Sequence, residues 1–195
     1  MKRSSLDLNH VPGVLVMDDA LPTMFMEQLI TMFNANDGAY QISTDFKDVR
    51  HFKEINISLH WQEQHDMLVV YVQEAWKVYM GMMGVQFDVQ WPRQFGYEQF
   101  RMKRYLPNGQ DQFGLHTDVG SYASARRFLA FLWYLNTPSR GGETGFGINP
   151  DNPELIVPAV AGRLLIFPPL WTHPHWGAKV QQDPKFIVSG YLHYI

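Results

Sequence analysis

His116-Thr117-Asp118, then Trp171-Thr172-His173-Pro174-His175, then Lys185, are the residues of this chain whose types and spacing can do chemistry. They supply imidazoles, one carboxylate and a following cation, the ligand set of a non-haem iron site that keeps coordination positions open. His116 and Asp118 are two apart, so in extended chain their side chains leave one face and can converge on an ion, with Val119-Gly120-Ser121 free to relax the geometry. His173 and His175 share that spacing, flank Pro174, and follow the apolar run Leu164-Leu165-Ile166-Phe167 and the turn-prone Pro168-Pro169. Spacing alone leaves either of them as the third ligand. It also leaves zinc open beside iron, since histidines with a carboxylate satisfy both, and a lone His-x-Asp is as readily a histidine hydrogen-bonded to a nearby carboxylate. Lys185 opens the apolar run Phe186–Leu192. A lysine there either snorkels to water or is buried against an anion, because an unpaired buried charge is costly; an anionic co-substrate would require the second.

Two kinds of element must hold these residues. Leu21, Phe25, Leu29 and Phe33 recur every four residues and predict an amphipathic helix over 21–35. Leu68, Tyr71, Val72, Ala75, Tyr79 and Met82 predict a longer one over 62–83, stopped by Gly84, with Met80, Met82 and Met83 as core packing rather than a soft metal box. From residue 85 onward, short β-branched and aromatic runs separated by Gly, Pro, Asn and Asp predict strands at Gln99–Tyr105, Gly114–Asp118, Arg127–Leu135, Leu155–Val157, Arg163–Phe167, Trp171–His175 and Phe186–His193. Many short strands with frequent turns point to an antiparallel sandwich or jelly roll. The expected organisation is a single domain over 1–195, with a helix-rich support at about 10–84 and a jelly-roll core at about 85–195 that carries the metal site.

Composition narrows the functions. The chain has 195 residues, 46% hydrophobic and 14% aromatic, enough for one sizeable core. Its formal charge of −3 and lack of a long basic run argue against extended nucleic-acid binding. With no cysteine, disulfides, thiolate metal sites and thiol nucleophiles are excluded, leaving oxygen, nitrogen or a metal to do the chemistry. No apolar run approaches the ~20 residues of a membrane span, and a soluble, cytoplasmic protein without a membrane partner is expected.

Several segments in order resemble the 2-oxoglutarate- and Fe(II)-dependent dioxygenases, most closely the prolyl 4-hydroxylase-like branch with its small bacterial and phage members. Over roughly 97–193, Arg104-Tyr105-Leu106-Pro107-Asn108-Gly109 is similar to that family's strand and turn before the first ligand, and His116-Thr117-Asp118 to its iron-binding His-x-Asp. Phe131-Leu132-Trp133-Tyr134-Leu135-Asn136 with Gly141-Gly142-Glu143-Thr144 is similar to its "YLN…GGET" hairpin, and Gly162–Pro168 to the strand before its distal histidine. The resemblance implies a double-stranded β-helix with the N-terminal helices against the outside of one sheet. It implies Fe(II) on His116, Asp118 and His175. His175 is preferred to His173 because the anion-binding cation of this branch commonly follows the histidine by about ten residues, and Lys185 is that far from His175. Lys185 and Tyr105 would then hold the distal carboxylate of 2-oxoglutarate. The implied activity is oxidative decarboxylation of 2-oxoglutarate to succinate coupled to hydroxylation of an unactivated C–H bond, with dioxygen as oxidant and ascorbate as accessory reductant. Asp118 favours hydroxylation, since related halogenases lack that carboxylate. The implied substrate is a peptidyl residue, proline above all, or a free amino acid. A cupin-like jelly roll that binds metal without 2-oxoglutarate turnover is the rival reading.

Overall fold

The structure, a computed structural model, describes residues 1–6, 8, 11–36, 41–44 and 50–195. Its strands alternate apolar residues to two faces, and both faces are covered. In chain order the elements are β1 (Lys2–Arg3), β2 (Leu15–Asp18), α1 (Thr23–Ala35), β3 (Gln41–Thr44), β4 (Arg50–Asn56), α2 (Ile57–His60), α3 (Gln62–Met83) and α4 (Phe87–Gln90). There follow β5 (Phe95–Tyr97), β6 (Arg101–Tyr105), β7 (Gln112–His116), a 3-10 turn (Tyr122–Ser124), β8 (Arg127–Tyr134), β9 (Thr144–Phe146), β10 (Leu155–Val157), β11 (Leu164–Phe167), β12 (His175–Gly177) and β13 (Lys185–Tyr194). The strands form one antiparallel ladder in the order β1-β2-β11-β8-β13-β6-β4-β7-β12-β9-β10, with β3 on β4 and β5 on β13. The ladder curls so that its ends face each other, a jelly roll as the strand pattern suggests and the double-stranded β-helix that the family resemblance implies.

One face of β11, β8, β13 and β6 presents Leu164, Ile166, Phe131, Trp133, Val188 and Met102 to α1 and α3, which answer with Phe25, Leu29, Phe33, Leu68, Val72 and Ala75. The other face turns Leu165, Phe167, Ala130, Tyr134, Ile187 and Tyr105 inward against Phe52, Phe146 and Val157. Both predicted helices are present, the second ending at Gly84, whose φ of 65° closes the helix in the left-handed conformation that glycine adopts without strain. Met80 joins the core beneath it, whereas Met82 is exposed.

Three expectations are corrected. Trp171–Pro174 is turn, and only His175 begins a strand. Pro168, Pro169 and Pro174 carry no N–H and so cannot donate to a ladder. The strand expected at Gly114–Asp118 is Gln112–His116, so Asp118 lies beyond it, in a loop pinned where Val119 N donates to Pro169 O at 3.1 Å. The jelly roll is not confined to 85–195 either. β2 pairs with β11, β4 lies between β6 and β7, and β3 pairs with β4, so the helix-rich part supplies three of the sheet's strands. The sequence also suggests that the loops around residues 40–60 help to shape the site's mouth; residues 40 and 45–49 of that segment lie outside the described residues.

Candidate metal and co-substrate site

The two candidate histidines are distant in sequence and adjacent in space because β12 pairs with β7 in a register that sets His175 opposite His116. Facing residues of an antiparallel pair bring their Cβ atoms to about 5 Å, and the two ring centroids stand 4.3 Å apart. Asp118 reaches back from its loop to close the set, with Oδ1 3.7 Å from His116 Nε2 and Oδ2 3.5 Å from His175 Nε2. Ligand atoms about 2 Å from one ion stand roughly 3–4 Å apart, so the trio has the dimensions of a metal site. All three offer a ligand atom within 4.8 Å of the others, the one such cluster of histidine and acidic side chains among the described residues.

The protonation pattern suits a metal as well. His116 Nδ1 lies 2.7 Å from Gly114 O and His175 Nδ1 2.9 Å from His173 O. A carbonyl can only accept, so each Nδ1 carries the proton and each Nε2 presents a lone pair to the centre. Burial pushes the His175 imidazolium down to about 4, against the attraction of Asp118, so the ring is neutral and ready to ligate at neutral pH. Burial by itself would raise Asp118. His175, His116 and the Tyr191 hydroxyl more than offset it and hold the carboxyl well below the usual range. Tyr191 donates to Asp118 Oδ1 at 2.7 Å, and Arg127 Nη1 donates to the Asp118 carbonyl at 3.0 Å. Arg127 is itself clamped by Glu98 at 2.8 Å and lies 4.0 Å over the Tyr191 ring.

His173 stands apart from this centre. Its Nε2 takes Pro12 O at 2.7 Å and its Nδ1 meets Thr172 Oγ1 at 2.8 Å, so both ring nitrogens are engaged elsewhere.

Lys185 is buried at 2% exposure rather than snorkelling. Its Nζ donates to Gly142 O at 3.0 Å and lies 4.6 Å from the centroid of the Tyr105 ring, which is also buried. Gly141 and Gly142 both have positive φ, and a Cβ on Gly142 would come 2.9 Å from Val180 Cγ1 and 3.1 Å from Lys185 Cδ, so this hairpin approaches the lysine as glycine. Lys185 lines the same cavity as His116, Asp118 and His175, together with Tyr105, Thr144 and Trp176. An ammonium has three N–H donors; one is used by Gly142, which suits the remainder to an anionic group.

Sequence reasoning passed over Tyr191, Phe113 and Lys103, all of which line this cavity. Phe113 stacks on His116 at 3.5 Å between centroids. Tyr191 and Lys103 each sit two residues or a multiple of two from a predicted site residue, Lys185 or Tyr105, on the same strand. Period-two alternation is therefore the signal that could have found them. Of the aromatic residues near the ligand segments, Trp176 is buried in the cavity wall, while Tyr122 and Trp171 are exposed at the surface.

A family model described as the 2OG-Fe(II) oxygenase superfamily matches residues 100–193. Among solved structures, the chain is similar to a viral collagen prolyl hydroxylase of Paramecium Bursaria Chlorella virus-1 in its 2OG complex, at 16% identity and a TM-score of 0.69, covering 97% of this chain and 100% of that one. It is similar to a Pseudomonas putida prolyl-4-hydroxylase at 17% identity and a TM-score of 0.70, covering 94% of each chain. It is also similar to a Trichoplax adhaerens prolyl hydroxylase in complex with a hypoxia inducible factor peptide, at 15% identity and a TM-score of 0.69, covering 93% of this chain and 83% of that one. At such identities the likeness is one of fold. No curated protein matches the sequence.

Proposed function

Residues 100–193 place the chain in the 2OG-Fe(II) oxygenase superfamily, and on that premise we propose that His116, Asp118 and His175 hold the iron of an Fe(II)- and 2-oxoglutarate-dependent dioxygenase whose co-substrate is anchored by Lys185 and Tyr105. The observation that carries the assignment is the meeting, in one cavity, of a His/carboxylate/His set and a buried ammonium with spare donors. Bound Fe(II), 2-oxoglutarate and dioxygen supply the oxidation, in which decarboxylation to succinate and CO₂ is coupled to insertion of one oxygen atom into a substrate C–H bond.

The chain's own residues bind, orient and shield. Gly114 O and His173 O fix the tautomers that aim both Nε2 atoms inward. Tyr191 and Arg127 hold the Asp118 side chain and backbone, so the carboxylate meets the ion without rearranging. Lys185 receives the distal carboxylate of 2-oxoglutarate, with the Tyr105 ring against the ammonium. Phe113, Phe167 and Trp176 wall the cavity and exclude water from the oxidising centre. Residues 1–195 act as a single domain, because strands from both parts are needed to complete the ladder around the site.

The substrate we infer is a peptidyl residue, proline in the first instance, or a free amino acid. Several solved structures of like fold are prolyl hydroxylases, and an open groove lined by Tyr97, Arg101, Phe113 and Thr117 leads to Asp118. Ascorbate would support turnover by keeping the iron ferrous. Anaerobic addition of Fe(II) and then 2-oxoglutarate to the metal-free protein tests the site. The expected result is the weak visible charge-transfer band of chelated 2-oxoglutarate, strongly reduced in Lys185→Met. A protein that shows no band and instead retains zinc tightly would be the cupin-like alternative.

A further inference from the structure

A second ammonium lies in this cavity, and none of the roles above uses it. Lys103, in β6, is 8% exposed and projects from the same face as Tyr105. Its Nζ stands 5.1 Å from the Phe52 ring centroid and 5.7 Å from that of Phe113. Among the described residues it donates no hydrogen bond and meets no carboxylate at ion-pair distance. The acids around it are engaged elsewhere. Glu54, its register partner on β4, binds Arg101 at 3.0 Å; Glu98 binds Arg127 at 2.8 Å; Asp118 faces the two imidazoles and Tyr191. Two ring faces are a weak substitute for a counter-charge when set against the desolvation of a buried ammonium.

Position assigns the missing partner. Lys185 lines the inner cavity but not the open groove beside it, whereas Lys103 lines both, with Phe113, His116, Asp118, Ser189 and Tyr191. Lys103 thus stands at the junction where a molecule lying in the groove reaches the metal-binding trio. Charge gives the same answer. With a divalent ion and dianionic 2-oxoglutarate in place, Lys185 meets one co-substrate carboxylate, the metal meets the other, and Asp118 offsets the rest of the metal's charge. The charge of Lys103 is left over in a low-dielectric site.

Resting on the function proposed above, we propose that Lys103 is a specificity-determining residue that binds a carboxylate of the molecule to be hydroxylated. The substrate is then a free amino acid or a peptide presenting its C-terminal carboxylate, rather than a neutral residue within a chain. A neutral amide in that position would leave the ammonium unpaired and bind poorly.

The test uses the full chain as its anaerobic Fe(II)·2-oxoglutarate complex. It is titrated with L-amino acids, N-acetyl-L-amino acids and the amide of each, and binding is read by calorimetry and by the shift of the charge-transfer band, without turnover. At least one acid is expected to bind about tenfold or more tighter than its amide, equivalent to about 1.4 kcal/mol. The preference should vanish in Lys103→Met and return in Lys103→Arg, while 2-oxoglutarate affinity changes by less than about threefold. A preference shared by the N-acetylated acids marks a peptide C-terminus, and one confined to the free acids marks an amino acid. No acid outbinding its amide in the wild type would overturn the proposal whether or not the variants fold. So would a preference that survives in Lys103→Met, or a loss of 2-oxoglutarate binding in that variant matching its loss of acid binding. Absence of the band in the wild-type complex would instead remove the parent reading.

Discussion

Replacing Lys185 by methionine removes the ammonium and keeps most of the stem that fills the space under Gly142. The buried Nζ has one protein hydrogen-bond acceptor, Gly142 O at 3.0 Å, and no carboxylate within ion-pair distance among the described residues, so the incoming dicarboxylate supplies its counter-charge. Truncating one side of a buried charge pair costs about 3–5 kcal/mol. At the lower end, 2-oxoglutarate affinity falls by about 150-fold. Titration calorimetry of the Fe(II)-loaded protein under anaerobic conditions measures this directly, and circular dichroism checks that the variant is folded. The pH dependence provides an internal control. Burial, with repulsion from Lys103 added and attraction to Glu143 opposing, lowers Lys185 from 10.5 to about 8. The ammonium is present below that value, so 2-oxoglutarate affinity should decline as pH rises through about 8 in the wild type and stay flat in Lys185→Met. Stability of the ligand-free protein runs the other way. Between about 8 and 10.5 the unfolded lysine holds a proton that the folded one has released, so stability rises with pH across that window and is lost again as pH falls through about 8. A methionine variant that binds 2-oxoglutarate within threefold of the wild type, or a wild-type affinity profile flat from about pH 7 to about pH 9, would refute the reasoning.

His175→Ala should abolish stoichiometric iron binding and His173→Ala should retain it, because His173 has both nitrogens engaged by Pro12 and Thr172; metal analysis after gel filtration decides, and the reverse pattern would reassign the ligand. Tyr191→Phe deletes the hydroxyl that holds Asp118 Oδ1 at 2.7 Å, and iron affinity or turnover should fall about 10- to 100-fold without loss of fold; an unchanged metal titration would show that Arg127 alone suffices. Gly145→Ala places a methyl 2.1 Å from Trp176 Cζ2 in the cavity wall, and urea denaturation should show a loss of about 1–3 kcal/mol; a neutral result would mean that the indole can swing aside.

Much of the site could be read from the chain, and the unread parts have a common cause. His116, Asp118 and Lys185 stand out by residue type and spacing, His175 and Tyr105 enter through the family resemblance, and the structure brings all five to one cavity. The α3 helix and the strands around Leu155–Val157 and Lys185–Tyr194 followed from periodicity because one face of each is fully buried. β4 escaped notice because its sequence, Arg-His-Phe-Lys-Glu-Ile-Asn, is polar: one face looks into the groove, where charged side chains are useful. Lys103 was passed over for the same reason, as a polar residue in the inward set of a strand. The His-x-Asp spacing suggested convergence from a shared strand face. Convergence arises instead from the cross-strand register of His116 with His175 and from a loop folding Asp118 back, and neither is encoded within three consecutive residues.

The placement of β2 and β4 bears on how the polypeptide must assemble. The span matched by the family model begins at residue 100, yet a fragment starting there would expose the β6 edge that β4 covers, the β11 edge that β2 covers, and the apolar face over which α1 and α3 lie. Such a fragment would offer open strand edges and bare hydrophobic surface, the two ingredients of aggregation. The β2–β11 pairing joins residues almost 150 positions apart, so ladder closure waits for a loop of most of the chain. Such non-local pairing slows folding. Expression at low temperature or with chaperones should therefore raise the yield of the intact chain, and trimming the N-terminus to residue 100 should lower it.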